Sequence, residues 1–248
     1  MTRPVEVFPD AEALSQRAAV LVAEAVGEAL AARGRAFVSL SGGSTPRRTY
    51  ELLGERGTLA AEGVEIFFGD ERCVPPEDHA SNFRLVAETI GDHGNVRRIR
   101  GEIDPDEAAR EYEALLRERF PGDAWPVFDL ELLGIGSDGH TASLFPGSPE
   151  LDERARWVVA TKREHGWVRR VTMTLPVLNA SRRTLMLATG RDKARAVADV
   201  LSGGTSPAAR VLGAHLLLDE AAGGAPPPQR GKIAPEELFD LSSEDGGE

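Results

Sequence analysis

Four apolar runs of strand length, each stopping abruptly at glycine and polar residues, constrain this chain more than any other feature of its sequence. Residues 36–40 empty into Ser41-Gly42-Gly43-Ser44-Thr45-Pro46, and residues 64–68 into Gly69-Asp70-Glu71-Arg72. The run Phe128, Leu130, Leu132, Leu133, Ile135 stops at Gly136 and is followed by Ser137, Asp138, His140, Thr141 and Ser143. The fourth, residues 184–188, leads into Thr189-Gly190-Arg191-Asp192-Lys193. Helical patterns lie between them. Leu14, Ala18, Leu21, Ala25 and Leu30 recur at helical spacing between a cap at Asp10 and a stop at Gly34. Further helices are expected over 46–53 with Thr45 as cap, over 82–90, over 105–120 from the Asp104-Pro105 start with Glu107 as capping-box acid, and up to about residue 201. Residues 96–99, 157–161, 171–174 and 216–218 read as further strands, and 207–213 as a short helix.

Strands alternating with helices predict an α/β fold: a three-layer α/β/α single domain around a mainly parallel, Rossmann-like sheet. At 248 residues the chain suits one large domain, expected over 1–222. An acidic, Gly/Pro-rich C-terminal tail follows over 223–248, with residues 236–241 docking as one helical turn. A net charge of −11 argues against nucleic acid or an anionic membrane as partner, so binding of a small anion requires locally concentrated positive charge. The single cysteine, Cys73, excludes an internal disulfide. The N-terminal residues carry no apolar signal core, and a cytoplasmic protein is expected.

In a parallel sheet the carboxyl ends of the strands share one edge, and ligands bind there at the switch point. The four strand ends therefore predict one site. Gly42, Gly43 and Ser44, between a strand and a helix N-terminus, form an anion cradle of backbone N–H groups, although such turns are common in α/β proteins and this one is neither a Walker loop nor GxGxxG. Asp70 and Arg72 add charge of both signs, and Lys193 stands out in a chain whose other lysines are Lys162 and Lys232. Asp138, two residues before His140, can fix the imidazole ring and its tautomer. The plainer alternatives are a solvated turn at 70–72 and a polar loop with a solvated histidine at 136–143. Arg170 precedes its strand, so it reaches the same edge only if that strand is antiparallel or the loop folds over the site. His79, His93, His165 and His215 are expected to be surface or packing residues.

With these residues in place, residues 40–53 (LSGGSTPRRTYELL), 67–75 (FFGDERCVP) with Ser81-Asn82, 129–147 (DLELLGIGSDGHTASLFPG), 170–181 (RVTMTLPVLNAS) and 188–197 (ATGRDKARAV) resemble the 6-phosphogluconolactonases. These sit in a wider group that includes glucosamine-6-phosphate isomerase/deaminase. The deaminases share a DGH turn but continue into an FNEP-like sequence with a catalytic glutamate. Here the continuation is Thr141-Ala142-Ser143-Leu144-Phe145-Pro146, which favours the lactonase.

The resemblance implies hydrolysis of 6-phospho-D-glucono-1,5-lactone by base-activated water, with no cofactor and no metal. The partner is the phosphosugar lactone alone, and the chain is expected as a monomer or small homo-oligomer. His140 would be the base, Asp138 its orienter, and backbone N–H groups near Gly136 the oxyanion donors. Gly42, Gly43, Ser44, Arg72 and Lys193 would hold the phosphate, Asp70 would contact the sugar hydroxyls, and Arg170 would be a further substrate contact. Alternatives are Ser143 as nucleophile with His140 as its base, the deaminase reaction, and a non-catalytic phosphosugar-binding module.

Overall fold

The computed structural model describes residues 3–91, 93–162, 164 and 167–224. Its centre is a six-stranded, all-parallel sheet formed by β1 (Val5–Phe8), β2 (Ala36–Leu40), β3 (Val64–Phe68), β5 (Leu130–Gly134), β8 (Thr184–Ala188) and β9 (His215–Asp219), in the order β1-β9-β8-β5-β2-β3. The strands β2 and β8 are buried along their whole length, as both-sided helix cover demands. Around the sheet lie α1 (Ala11–Arg33), α2 (Arg47–Glu55), α3 (Asn82–Thr89), α4 (Pro105–Arg119), α5 (Leu175–Leu178), α6 (Ala194–Leu201) and α7 (Glu220–Gly223). The helices α1 and α2 pack on each other. The rings of Phe37, Phe67, Phe120 and Phe128 interlock at centroid distances of 4.9 to 6.0 Å between the sheet and the end of α4.

After β2 the chain goes outward to β3, and after β5 it goes the other way to β8 and β9. The switch point therefore falls between β2 and β5, where the loops at 41–46 and 136–143 emerge. A second, three-stranded antiparallel sheet of β4 (Asp70–Arg72), β7 (Arg170–Met173) and β6 (Val158–Ala160) borders this edge, because β4 continues from β3 through Gly69. Asp10 and Gly34 cap α1 and Asp104 caps α4, as their side chains and flanking residues predict.

Several local expectations are corrected. Pro46, not Thr45, sits at the N-cap of α2, and Thr45 Oγ1 instead meets Thr189 Oγ1 at 3.2 Å, joining the loops after β2 and β8. Residues 96–99 form a single bridge, Val96 to Ile66, and not a strand. The segment 207–213 holds only a 3-10 turn, Ala208–Arg210. The triplet 70–72 is no solvated turn: Asp70 and Glu71 are buried in β4. The expected tail beyond Gly224, its helical turn at 236–241, and His165 lie outside the described residues. Among the described residues no helix is long and apolar enough to cross a membrane.

Candidate active site

At the switch point a cavity of about 170 Å³ is lined by Ser41 to Pro46, Asp70, Arg72, Asn82, Gly134 to Gly136, His140, Ala142, Arg170 and Lys193. All four predicted strand ends converge there.

The turn after β5 is built around His140. Its Nδ1 lies 2.6 Å from Asp138 Oδ1, and its backbone N–H donates to the same oxygen at 3.1 Å. Partial burial pushes the Asp138 carboxyl up, but these hydrogen bonds and the adjacent ring outweigh it and hold the carboxyl below its ordinary value. The bound Nδ1 leaves Nε2 as the ring atom available for proton transfer. Gly136 is a glycine because a methyl there would sit 2.1 Å from His140 Nδ1. The turn closes through Gly136 N–H to His140 O at 2.8 Å, Gly139 N–H to Gly136 O at 2.9 Å, and Thr141 Oγ1 to Gly134 O at 2.9 Å. Ala142, on the cavity wall, takes φ 47°, a left-handed conformation that costs a non-glycine residue on the order of 1 kcal/mol and is held by this closed turn.

Two expectations for this turn change. The Gly136 N–H is already spent on His140 O, so it is not available to an oxyanion. Ser143 is fully buried and donates to Asp70 Oδ2 at 2.6 Å, so its hydroxyl serves Asp70 and not His140.

The rest of the lining includes the Gly42-Gly43-Ser44 turn and the cations Arg72, Arg170 and Lys193. Among the described residues, no protein acceptor meets the N–H groups of Gly42, Gly43 or Ser44, and Gly43 adopts φ 101° to make the turn. Arg72 Nη1 donates to Ala80 O at 2.5 Å, which anchors the guanidinium at the rim. Arg170 joins the site because β7 runs antiparallel to β4, which puts it opposite Arg72. Burial pushes the Arg170 pKa down, and nearby Asp70 opposes that shift. Its guanidinium lies 5.7 Å from the Phe145 ring, and the His140 ring lies 4.7 Å from that same ring. Lys193 Nζ lies 3.2 Å from Asp192. The turn carrying Lys193 is fixed by Asp219, which accepts the Gly190 N–H at 3.0 Å and the Ala222 N–H at 2.8 Å.

Asp138 does not line this cavity; it meets His140 at Nδ1. Phe145, Asn82, Glu71 and Asp219 are absent from the sequence-predicted set, since each acts through a partner distant in sequence. His215 and His79 have carboxylate neighbours, Glu6 at 2.9 Å and Asp78 at 3.2 Å, but neither histidine lines the cavity. No group of three or more His, Cys, Asp or Glu side chains converges as a metal cage among the described residues.

A parallel sheet with a backbone cradle, three cations and a carboxylate-held imidazole at its switch point defines a class of α/β protein whose site can hold a small anionic ligand and has the groups for acid–base chemistry. A model of the family described as glucosamine-6-phosphate isomerases/6-phosphogluconolactonase matches residues 9–218, and the chain belongs to that family. It is 35% identical to the 6-phosphogluconolactonase of Mycobacterium tuberculosis, with 86% of this chain and 93% of that one covered. It is 37% identical to the human 6-phosphogluconolactonase, over 79% of this chain and 81% of the other. The solved 6-phosphogluconolactonase of Trypanosoma brucei superposes with a TM-score of 0.80 at 29% identity, covering 89% of this chain and 97% of that one.

Proposed function

We propose that this protein hydrolyses 6-phospho-D-glucono-1,5-lactone to 6-phospho-D-gluconate, the lactone step of the oxidative pentose phosphate route. The observation that carries the reading is that His140, bound by Asp138, lines the same cavity as Arg72, Arg170, Lys193 and the Gly42-Gly43-Ser44 cradle. A lactone is an activated ester, so base-assisted water is sufficient and no covalent nucleophile is needed.

His140 Nε2 takes a proton from water as the water oxygen bonds to the lactone carbonyl carbon. The tetrahedral intermediate collapses by breaking the bond from that carbon to the ring oxygen, and the imidazolium returns its proton to that oxygen. The products are a carboxylic acid, which ionises, and a free hydroxyl. Asp138 keeps the proton-bearing nitrogen of His140 at Nδ1, so Nε2 is a lone-pair acceptor at the moment of attack. The 6-phosphate binds the cradle N–H groups with Arg72, Lys193 and Arg170, which fixes the carbonyl at the imidazole. Asp70 receives sugar hydroxyls. Its two oxygens are oriented by Ser143 and Asn82, which removes the rotational freedom a surface aspartate would have.

The protein works as a cytoplasmic enzyme, as a monomer or small homo-oligomer, and requires neither nucleic acid nor membrane. The test is a coupled assay on freshly generated lactone, corrected for spontaneous hydrolysis, run beside an ammonia-release assay on glucosamine 6-phosphate. Lactone turnover without ammonia supports the reading. Ammonia release without lactone turnover replaces it with the deaminase reaction.

A further inference from the structure

Asn82 lines the cavity with its side chain almost wholly buried, at 1% exposure, and its Oδ1 meets no hydrogen-bond donor among the described residues. Its surroundings explain this geometry. Nδ2 donates to Asp70 O at 2.8 Å and to Asp70 Oδ1 at 3.2 Å, which fixes which end of the amide is which. Oδ1 then points at Gly42. A methyl group on Gly42 would lie 1.7 Å from Oδ1 and 2.4 Å from Cγ, so the amide occupies the space a side chain at 42 would need. Gly42, unlike Gly43, has no positive φ to account for its being glycine. Its lack of a side chain is what lets the cradle close onto Asn82.

Asn82 is itself held from behind. Its backbone N–H donates to Glu71 Oε1 at 2.7 Å, beside the Arg72 N–H at 2.8 Å on the same oxygen. The other oxygen of Glu71 accepts the Phe83 N–H at 2.8 Å and Ser81 Oγ at 3.1 Å. One buried carboxyl therefore binds β4, which carries Asp70 and Arg72, to the first turn of α3, which carries Asn82.

We propose that Asn82, seated by Glu71, is a positioning residue that locks the Gly42-Gly43-Ser44 cradle to Asp70 and so fixes the distance between the phosphate and hydroxyl contacts of one substrate. The inference rests on the lactonase reading for the identity of that substrate, but the coupling of cradle to Asp70 is a property of the chain. Among the described residues, the hydrogen bonds of Asn82 go to Glu71 and Asp70 and not to His140. Its removal acts on binding and leaves the chemical step alone.

The test is a cycle of Asn82→Ala, Gly42→Ala and the double variant, read as KM and kcat on the lactone and as affinity for 6-phosphogluconate and for inorganic phosphate by calorimetry. Asn82→Ala is expected to raise KM and weaken both ligands by about 10- to 100-fold, the range for losing a buried hydrogen-bonding group, with kcat within about threefold of wild type. Gly42→Ala alone is expected to do similar harm. In the double variant the methyl introduced at position 42 fits the vacated amide space, so the combined loss falls well below the product of the single losses. Should Asn82→Ala not fold, Asn82→Asp keeps the shape but turns an acceptor on Asp70, and the same loss on the KM side is expected. Multiplicative effects in the cycle overturn the proposal, as does a variant that lowers kcat with KM unchanged. If wild type binds phosphate but neither turns over lactone nor binds 6-phosphogluconate, the lactonase reading fails, and the cycle read on phosphate alone still decides the coupling.

Discussion

Replacing Asp138 by Asn isolates what the carboxylate does for the imidazole. The side chain keeps its shape, but the single oxygen that receives both the His140 ring at 2.6 Å and the His140 N–H at 3.1 Å loses its charge. A hydrogen bond to a charged group contributes about 1.5–3 kcal/mol, so its loss alone lowers turnover by roughly 10- to 150-fold. An Asn that presents its NH2 to Nδ1 moves the ring proton to Nε2, and the loss then approaches the whole general-base contribution of roughly 10²–10⁴-fold. The folded core is untouched, because Asp138 is half exposed. The assay is the initial rate of lactone hydrolysis with the spontaneous rate subtracted, fitted for kcat and KM separately. A kcat depressed by about 10-fold or more at nearly unchanged KM is expected. An Asp138→Asn enzyme within about threefold of wild type in kcat refutes the assignment of Asp138 as orienter. Because the carboxyl is held below its ordinary value, its contribution persists above the usual aspartate range and is lost only as pH falls through that lowered value.

Gly136→Ala places a methyl 2.1 Å from His140 Nδ1 and should cost kcat about as heavily as Asp138→Asn while leaving phosphate affinity intact; calorimetry with phosphate beside the rate assay checks this. Lys193→Ala should raise KM and erase discrimination between phosphorylated and unphosphorylated lactone, measured as the ratio of kcat/KM for the two, and an unchanged ratio contradicts the phosphate assignment. Glu131, wholly buried in β5 between Ser39 and Ser181, is pushed up to about 8 by burial. The folded chain therefore holds a proton that the unfolded chain releases from about pH 4.5, and the stability this provides is lost as pH rises through about 8. Glu131→Gln removes that titration, so the variant's melting temperature should rise relative to wild type between about pH 4.5 and 8, by roughly 5–10 °C for a few kcal/mol. A constant difference across that range would mean that Glu131 is not the group titrating.

What the sequence makes legible here is what neighbouring residues decide. The strands β2, β3 and β8 end where their apolar runs meet glycine or polar residues, and α1 and α4 start at aspartates that cap them. The four polar strand ends could be assigned to one edge because parallel topology forces it. Features that depend on a distant partner were not legible. The edge strand β1 is four residues beside a proline, and its signal is the pairing of Val5 with Leu216. Asp70 and Arg72 are assignable to the edge from the sequence, but that Asp70 and Glu71 are buried in a strand depends on pairing with β7, and the same antiparallel pairing decides where Arg170 lies. Glu131 sits in an apolar run with no local sign that Ser39 and Ser181 receive it. Asp219 and Asn82 likewise act through Gly190 and Gly42, whose glycine identity was visible but whose reason was not.

The central claim is that an imidazole held by Asp138 activates water at one end of a phosphate-anchored lactone. Its most direct test is the kcat of His140→Ala on freshly made 6-phosphogluconolactone, with 6-phosphogluconate affinity measured on the same preparation. A loss of roughly 100-fold or more in kcat with product affinity within a few-fold of wild type is predicted. Near-normal turnover would contradict the claim.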